Sequence, residues 1–443
     1  MNLKKAIPFL LSGLFILTIA SCKKDNNNLV VKPELTGQVG SKAIDTVTVG
    51  NTLLIHPKIS NSNGAIYAWT VNGVSVKSDS VLAFQPTVKG DYKINFKAYT
   101  KGGNVSVDYN IHTYAKFENG FYIVNEGWFG HGTGTVSFFR YDTNTLEDSV
   151  YTKTNPTKNL NPATSTLESG VIFNGKLFLV SKVNGPMVVT DEFTLVEQGR
   201  IPAQGGNDWR SFVGVDAGRG LLSAQTGLFA LDLNTLQTTK LANVTGQIGD
   251  LIKEGNYIFA LSATDGVVIL NASDYTVVKK IAGAALGFAR TTDGSIYAGG
   301  GTKLFKISPV SLDVETITVP FTLNGSWGAW HPGSITASTK ENAVYIAKNG
   351  SFSGGSDIFK YIPGNAASLT APFISLPTGK IVYGAGISFN DKLNRLLVTT
   401  VQSGFGANFA VNNLYFYDPA TAAITKTVSY SGYYFPAVIV QHK

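Results

Sequence analysis

The sequence offers few residue groupings that could carry out catalysis. Its five histidines are scattered at positions 56, 112, 131, 331 and 442, without the His-Glu-x-x-His spacing of a zinc site. It also lacks a Gly-x-Ser-x-Gly nucleophile elbow and a Walker loop. Glu126 and His131 could exchange protons with a substrate, but their spacing alone does not make them an acid–base pair. We therefore expect no enzyme, no bound metal and no cofactor.

Aromatic residues in predicted connecting segments are better candidates for a site. A large ring is unusual in a loop unless it packs over something, because an exposed ring leaves apolar area in water. Asn, Gln and Ser accompany these rings, which suits a large ligand with flat faces and polar edges. The alternative is that the rings only seal the ends of strands. The predicted wall residues are Trp128, Phe129, His131, Trp209, Trp327, Trp330, His331, Phe352, Tyr383, Phe405, Tyr433 and Tyr434.

A sequence repeat identifies the elements that would position these rings. An apolar strand runs into a polar turn residue, and a Thr, Ser or Asp follows three positions later, where the turn side chain can cap backbone N–H groups. A weaker copy is found at Ile358–Pro363. Seven copies, spaced roughly 37 to 56 residues apart, predict one four-stranded blade each. The turn residues of the six clear copies are Asp142, Asp191, Asp232, Asn271, Ser308 and Asp418.

The order of the strands predicts how the ring of blades closes. If the strands of a blade are labelled A to D from the axis outward, the repeated turn joins C to D. The first repeat opens directly on its B strand, and the missing A strand is found at the C-terminus as Phe435–Val440. Pairing of the two ends would remove exposed sheet edges. The predicted B strands are Phe121–Asn125, Leu177–Ser181, Leu221–Ala224, Ile258–Ser262, Ile296–Gly299, Val344–Lys348 and Leu396–Val401.

The B–C loops and D–A connections of a propeller lie on one face, and the predicted wall residues fall in those segments. The longest B–C loops belong to blades one, six and seven, which are neighbours in a closed ring. The sequence therefore predicts a lopsided, aromatic-walled basin over that third of the face.

The segment before the propeller resembles a small β-sandwich. Alternating apolar residues at Ile66–Val71 and Tyr92–Tyr99 predict half-buried strands, and Trp69 lies mid-strand, where such sandwiches bury a tryptophan. The Tyr67-x-Trp69 and Gly90-Asp91-Tyr92 motifs resemble PKD-type immunoglobulin-like domains. The fold prediction is all-β, with this spacer domain over residues 29–115 and a seven-bladed β-propeller over residues 116–443.

The first residues indicate export. Lys4 and Lys5 precede a short apolar run that ends in Ile19-Ala20-Ser21-Cys22, which resembles the lipobox of bacterial lipoproteins. We expect residues 1–21 to be a signal peptide, Cys22 to be lipidated and residues 22–28 to be a tether; the alternative is a plain secretion signal. The formal net charge is +7, and loss of the two signal lysines leaves +5, a mild excess that does not point to nucleic acid.

The opening hairpin of the propeller resembles one protein family. Phe121–Gly130, Gly134–Phe139 and Asn174–Val180 look like the YncE-like propeller lipoproteins of Bacteroidetes. This group includes surface proteins that capture cobalamin and pass it to a TonB-dependent transporter. The resemblance implies an outer-membrane lipoprotein that faces the cell exterior, binds a corrinoid and has that transporter as partner. The alternatives are a glycan-binding protein of a polysaccharide-uptake system and a structural or adhesive surface protein.

Overall fold

The computed structural model describes residues 31–39, 44–206, 208–348, 350, 355–404 and 406–442. These residues form two compact units, an N-terminal β-sandwich and a β-propeller. The chain is all-β, as the sequence predicts. In the described ranges no helix is long and apolar enough to cross a membrane. The predicted signal peptide, the lipidation site Cys22 and the tether lie outside the described residues.

Two antiparallel sheets make up the sandwich. One sheet has the order β1-β3-β6 and the other β2-β8-β7-β4-β5. Trp69 lies between them, 1% exposed, and its indole N–H donates to the carbonyl of Asp79 at 2.7 Å. Its ring contacts Phe96, so the predicted core role of this tryptophan is confirmed. The strands are β1 (Leu35–Val39), β2 (Ile44–Thr48), β3 (Leu53–Ile59), β4 (Ile66–Val71), β5 (Val74–Val76), β6 (Leu82–Phe84), β7 (Gly90–Thr100) and β8 (Gly103–Tyr114).

Seven four-stranded blades form the propeller, and every predicted B strand coincides with or overlaps a strand of the structure. Blade one begins with β9 (Gly120–Asn125), β10 (Thr135–Arg140) and β11 (Leu146–Glu147), which helix α1 (Val150–Thr154) follows. Blade two contains β12 (Thr166–Phe173), β13 (Lys176–Lys182), β14 (Met187–Asp191) and β15 (Glu197–Ile201). Blade three contains β16 (Trp209–Gly214), β17 (Arg219–Ala224), β18 (Gly227–Asp232) and β19 (Thr238–Thr245).

The remaining blades repeat this pattern. Blade four contains β20 (Ile248–Glu254), β21 (Tyr257–Ser262), β22 (Gly266–Asn271) and β23 (Val277–Ile281). Blade five contains β24 (Leu286–Arg290), β25 (Ile296–Gly300), β26 (Lys303–Ile307) and β27 (Val314–Thr318). Blade six contains β28 (Ile335–Ala337), β29 (Val344–Ala347), β30 (Asp357–Tyr361) and β31 (Ile374–Ser375), with a 3-10 helix at Ala366–Leu369. Blade seven contains β32 (Lys380–Asn390), β33 (Arg395–Gln402), β34 (Val411–Tyr417) and β35 (Ile424–Ser431), with a 3-10 helix at Gly406–Ala410.

The last strand, β36 (Pro436–Gln441), closes the ring. It pairs antiparallel with β9 and parallel with β32, and so supplies the inner strand of blade one beside blade seven. This is the closure that the sequence predicts at Phe435–Val440. Without β36, the backbone groups at this edge of β9 would be unpaired.

The repeated C–D turns have the predicted chemistry. The Asp191 carboxylate accepts the backbone N–H of Thr194 at 2.8 Å, and Asp232 accepts that of Thr235 at 2.9 Å. Asp418 accepts the N–H of Thr421 at 3.0 Å. Each of these carboxylates therefore fixes its hairpin, as expected for an Asp at the start of a turn.

Candidate functional site

An exposed tryptophan lies on the face that carries the B–C loops. Trp128, in the loop between β9 and β10, is 37% exposed. Its ring stacks on His131, with centroids 4.0 Å apart, and on Tyr433, with centroids 4.3 Å apart. Tyr433 lies just before β36, so the closing strand brings the first and last segments of the propeller together here. The indole is thus held in place and still reaches solvent.

Two further aromatic residues extend this surface. Phe129 follows Trp128 and is 53% exposed. Tyr434 packs against Tyr430, and its hydroxyl donates to Asp148 at 3.1 Å. We call Trp128, Phe129, His131, Tyr433 and Tyr434 the aromatic rim.

A cavity of about 400 Å³ opens beside Phe129. Strand ends from blades one, two and three contribute to its wall, and the connection between blades five and six supplies the rest. Its wall combines apolar side chains with charged and polar ones. The cavity is lined by Glu126, Phe129, Thr166, Lys182, Val183, Arg210, Gly328, Ala329 and Trp330.

Trp330 fixes the position of the cavity. It is 1% exposed, and its carbonyl accepts a hydrogen bond from Lys182 of blade two at 2.6 Å. The guanidinium of Arg210 in blade three lies 5.6 Å from its ring centroid. A Cβ at Gly249 in blade four would lie 2.4 Å from the indole nitrogen, so this glycine leaves room for the ring. The blade 5–6 connection therefore reaches blades two, three and four.

A buried cluster of charged residues borders the cavity. Lys182 contacts the carboxylate of Glu168, and its ammonium lies 3.4 Å from Oε1 of Glu126. Thr166 also donates to Glu168, at 3.2 Å, and the hydroxyl of Tyr383 donates to Glu126. These side chains come from blades one, two and seven and meet only in the closed ring.

A second ion pair completes the cluster. Arg210 is 4% exposed and contacts both carboxylate oxygens of Asp208, with the Nη2–Oδ2 distance at 3.2 Å. Asp208 also accepts the backbone N–H of Val183 at 2.9 Å. The Nε of Arg210 is buried and makes no hydrogen bond within the protein. We call Glu126, Glu168, Lys182, Asp208 and Arg210 the charged cluster.

Burial determines the protonation of this cluster. It raises the pKa of Glu126 well above the usual value for a carboxyl, and the neighbouring Glu168 carboxylate raises it further. Burial alone would lower the pKa of Lys182, but Glu168 and Glu126 outweigh it and raise that pKa above its ordinary value. The environment therefore favours an uncharged Glu126 beside a charged Lys182.

The central channel forms a separate cavity of about 260 Å³, lined by the inner strands. Asp250 of β20 faces this channel and accepts the backbone N–H of Gly333 at 2.9 Å. Burial raises the pKa of Asp250 to about 6, although the Gly333 N–H opposes the rise. Within the described ranges, no group of three or more His, Cys, Asp or Glu could hold a metal ion.

The structure brings only part of the predicted wall together. Trp128, Phe129, His131 and Tyr433 are neighbours at the rim, and Trp330 lines the cavity. Trp327 packs partly buried against the core between blades four and five. His331 is partly buried, contacts the Pro332 carbonyl at 2.8 Å through Nδ1, and has a pKa lowered by burial. Phe352 and Phe405 lie outside the described residues.

Three parts of the sequence interpretation need correction. Trp209 is not in a loop: it begins β16, is 4% exposed and packs edge-on against Phe229 in the core. Tyr383 lies within β32 and donates its hydroxyl inward to Glu126. The cavity is bounded by blades one, two and three and by the blade 5–6 connection, which folds inward to bury Trp330, and not by blades six and seven. The aromatic rim lies where blades seven and one meet, within the third of the face that the sequence predicts.

The sequence interpretation also missed most of the charged cluster. Glu168, Lys182, Asp208 and Arg210 stand near strand ends on the loop face. The sequence did contain a signal for this cluster. Only 15% of the residues are charged, yet these four lie beside apolar strand residues, and a charge that is buried at such a position needs a partner because its burial is costly.

Known proteins resemble both parts of the chain. The model of a family described as a domain of unknown function, DUF5074, matches residues 119–442, and that of a PKD-like domain matches residues 40–100. No curated protein matches the chain. The PKD-like match agrees with the sandwich expected from the sequence.

Two solved structures are similar in fold. A quinonprotein alcohol dehydrogenase-like protein from Bacteroides thetaiotaomicron is 19% identical, with a TM-score of 0.59 over 92% of this chain and 98% of its own. Dihydro-heme d1 dehydrogenase NirN in complex with DHE is 10% identical, with a TM-score of 0.47 over 78% and 72% of the two chains. At this identity, the first similarity supports the propeller fold and nothing about activity.

Proposed function

We propose that this chain, which belongs to the DUF5074 family, captures a corrinoid such as cobalamin at the aromatic rim and does not alter it chemically. In this proposal, the protein is anchored to the outer membrane through lipid on Cys22 and faces the cell exterior. It delivers the ligand to a TonB-dependent transporter. The anchor and the partner rest on the lipobox-like sequence and on the resemblance of the opening hairpin.

The observation that carries the proposal is the stacked, solvent-facing Trp128. Two stacking partners fix its ring, so little side-chain freedom is lost when a ligand binds. His131 and Tyr433 cover the two faces of the indole, so a ligand meets the exposed edge of this stack and the ring of Phe129. A corrin ring is broad, carries carboxamides along its edge and can lie against such a surface. The adjacent cavity of about 400 Å³ is near the lower end for small-molecule sites, so it suits one edge group rather than the whole ligand.

The charged cluster supports capture rather than catalysis. Lys182 contacts the Glu168 carboxylate, the Glu126 carboxyl and a carbonyl, and Arg210 pairs with Asp208. Glu168 is fully buried and is not part of the cavity wall. These groups are engaged with one another, whereas a catalytic acid or base must reach the reacting atoms.

Calorimetric titration of residues 23–443 with cyanocobalamin tests the proposal. We expect saturable binding with one site, and at least tenfold weaker binding by Trp128→Ala and by Phe129→Ala. Tyr99→Ala is the matched control, because Tyr99 is similarly exposed, at 42%, but belongs to the sandwich. Absence of binding by the unaltered chain would rule out the corrinoid proposal.

One observation favours a glycan as the second candidate. Arg210 lines the cavity and keeps guanidinium N–H groups that Asp208 does not occupy, and such donors can bind a sugar hydroxyl. The rim would then stack on sugar rings. Titration with oligosaccharides distinguishes this candidate, since a glycan ligand should lose affinity in Asp208→Asn as well as in Trp128→Ala.

A further inference from the structure

The cations beside the cavity already have partners. An ammonium has three N–H donors, and Lys182 has three acceptors around it: Glu168, the Trp330 carbonyl at 2.6 Å and Glu126 at 3.4 Å. Lys182 therefore has no donor left for a ligand. Its positive charge is balanced by Glu168.

Arg210 differs from Lys182 because some of its donors remain free. A guanidinium has five N–H donors. Asp208 accepts one from each of Nη1 and Nη2, and the buried Nε makes no hydrogen bond within the protein. Arg210 lines the cavity, so the second N–H of Nη1 and that of Nη2, which Asp208 does not occupy, can meet the oxygen of a ligand group there. Its charge, like that of Lys182, is balanced by a carboxylate.

The charged cluster is therefore close to electrical neutrality. Its two ion pairs cancel, and burial together with the adjacent Glu168 favours the uncharged form of Glu126. The wall around the cluster is formed largely by Phe129, Val183, Ala329 and Trp330. A carboxylate that entered this cavity would have no unpaired cation to neutralise it, and a buried unpaired charge is strongly disfavoured.

We propose that the cavity is a subsite that accepts an uncharged polar group of the ligand, a carboxamide or a hydroxyl, and excludes a carboxylate. The ligand oxygen accepts a hydrogen bond from Arg210, and the apolar wall contacts the attached carbon chain. This inference deepens the proposed function, since the cavity adjoins the rim. In a corrinoid, the group is one of the peripheral carboxamides.

The first test compares cyanocobalamin with its monocarboxylic acids, in each of which one peripheral carboxamide has become a carboxylate. Calorimetric titration at pH 7.5 should show one acid binding at least tenfold more weakly than cyanocobalamin, while acids altered on the solvent side bind like it. If all the acids bind as well as cyanocobalamin, the cavity proposal is wrong and the corrinoid proposal stands.

An isosteric variant changes the charge balance without removing a contact surface. Asp208→Asn retains an oxygen for the Val183 N–H but leaves Arg210 without a paired carboxylate. In this variant, the affinity of the weakly binding monocarboxylic acid should rise to within threefold of the affinity of cyanocobalamin. Asp216→Asn is the control, because Asp216 pairs with an exposed arginine at the opposite ends of the strands. Unchanged discrimination in Asp208→Asn would contradict the proposal.

A second measurement keeps the cavity proposal testable if cyanocobalamin does not bind. Side-chain NMR of Arg210 can be followed during titration with propionamide and with propionate. Propionamide should shift the resonance of the Arg210 Nη–H groups and propionate should not, and Asp208→Asn should reverse this order. If neither compound shifts the resonance, or if propionate alone does so in the unaltered chain, the cavity proposal is overturned.

Discussion

The closing strand β36 allows a quantitative test of the propeller. A chain that ends at Tyr430 lacks the inner strand of blade one. The deleted segment includes three large apolar side chains that are almost fully buried: Phe435 at 9%, Ile439 at 6% and Val440 at 6% exposed. Burying such a side chain stabilises a fold by about 1.5–3 kcal/mol, so the three together contribute about 5–9 kcal/mol. Domains are typically stable by about 5–15 kcal/mol.

The truncated chain should therefore be unfolded or aggregated at 25 °C, since its β9 edge would also be unpaired. A point variant measures the same effect in a chain that still folds: Ile439→Ala should lower the free energy of unfolding by about 2–5 kcal/mol. Urea titration followed by tryptophan fluorescence measures both. Ile424→Ala is the control, because Ile424 is 45% exposed in β35, and it should change stability by less than about 0.5 kcal/mol. A truncated chain with unchanged stability would refute this account of closure.

Three further predictions concern the channel and the cavity. Asp250 binds its proton more tightly in the folded chain, with a pKa of about 6, than at its ordinary value of 3.8, so wild-type stability should fall as the pH rises between those values. One pKa unit corresponds to about 1.4 kcal/mol, so the free energy of unfolding of Asp250→Asn should rise relative to wild type by up to about 3 kcal/mol between pH 4 and pH 7.5 in urea titrations. A difference between the two proteins that does not change with pH would contradict the burial of this carboxyl. Lys182→Met leaves Glu168 buried without a cation and should lower the free energy of unfolding by about 3–5 kcal/mol. A decrease below about 1 kcal/mol would mean that the ion pair is not buried. Gly249→Ala should displace the Trp330 ring, lower the free energy of unfolding by about 1–3 kcal/mol and shift the tryptophan emission to the blue or the red. An unchanged spectrum and an unchanged stability would show that the ring does not pack there.

The propeller could be predicted because its information is local and repeated. Each C–D turn needs a short polar side chain at a fixed offset, so Asp191, Asp232 and Asp418 mark three blades directly. The split blade followed from a missing A strand at the start and an unassigned strand at the end. Such patterns do not depend on contacts between distant residues.

The cavity could not be predicted, because it depends on contacts that no local pattern shows. The connection between blades five and six has no repeat, so nothing in the sequence indicated that Trp330 would turn inward and accept a hydrogen bond from Lys182, 148 positions away. Tyr383 and Glu126, 257 positions apart, meet only when the ring has closed. The proximity of the rim residues was easier to predict, since Trp128, Phe129 and His131 share one loop.

The most direct test of the proposed function is a diffraction experiment on crystals grown with cyanocobalamin, because the anomalous signal of cobalt locates the ligand without other assumptions. The account predicts a single strong cobalt peak above the aromatic rim, with the corrin ring against Trp128 and one carboxamide directed toward Arg210. A cobalt peak at the sandwich or on the turn face of the propeller, or crystals without cobalt at saturating ligand, would contradict it.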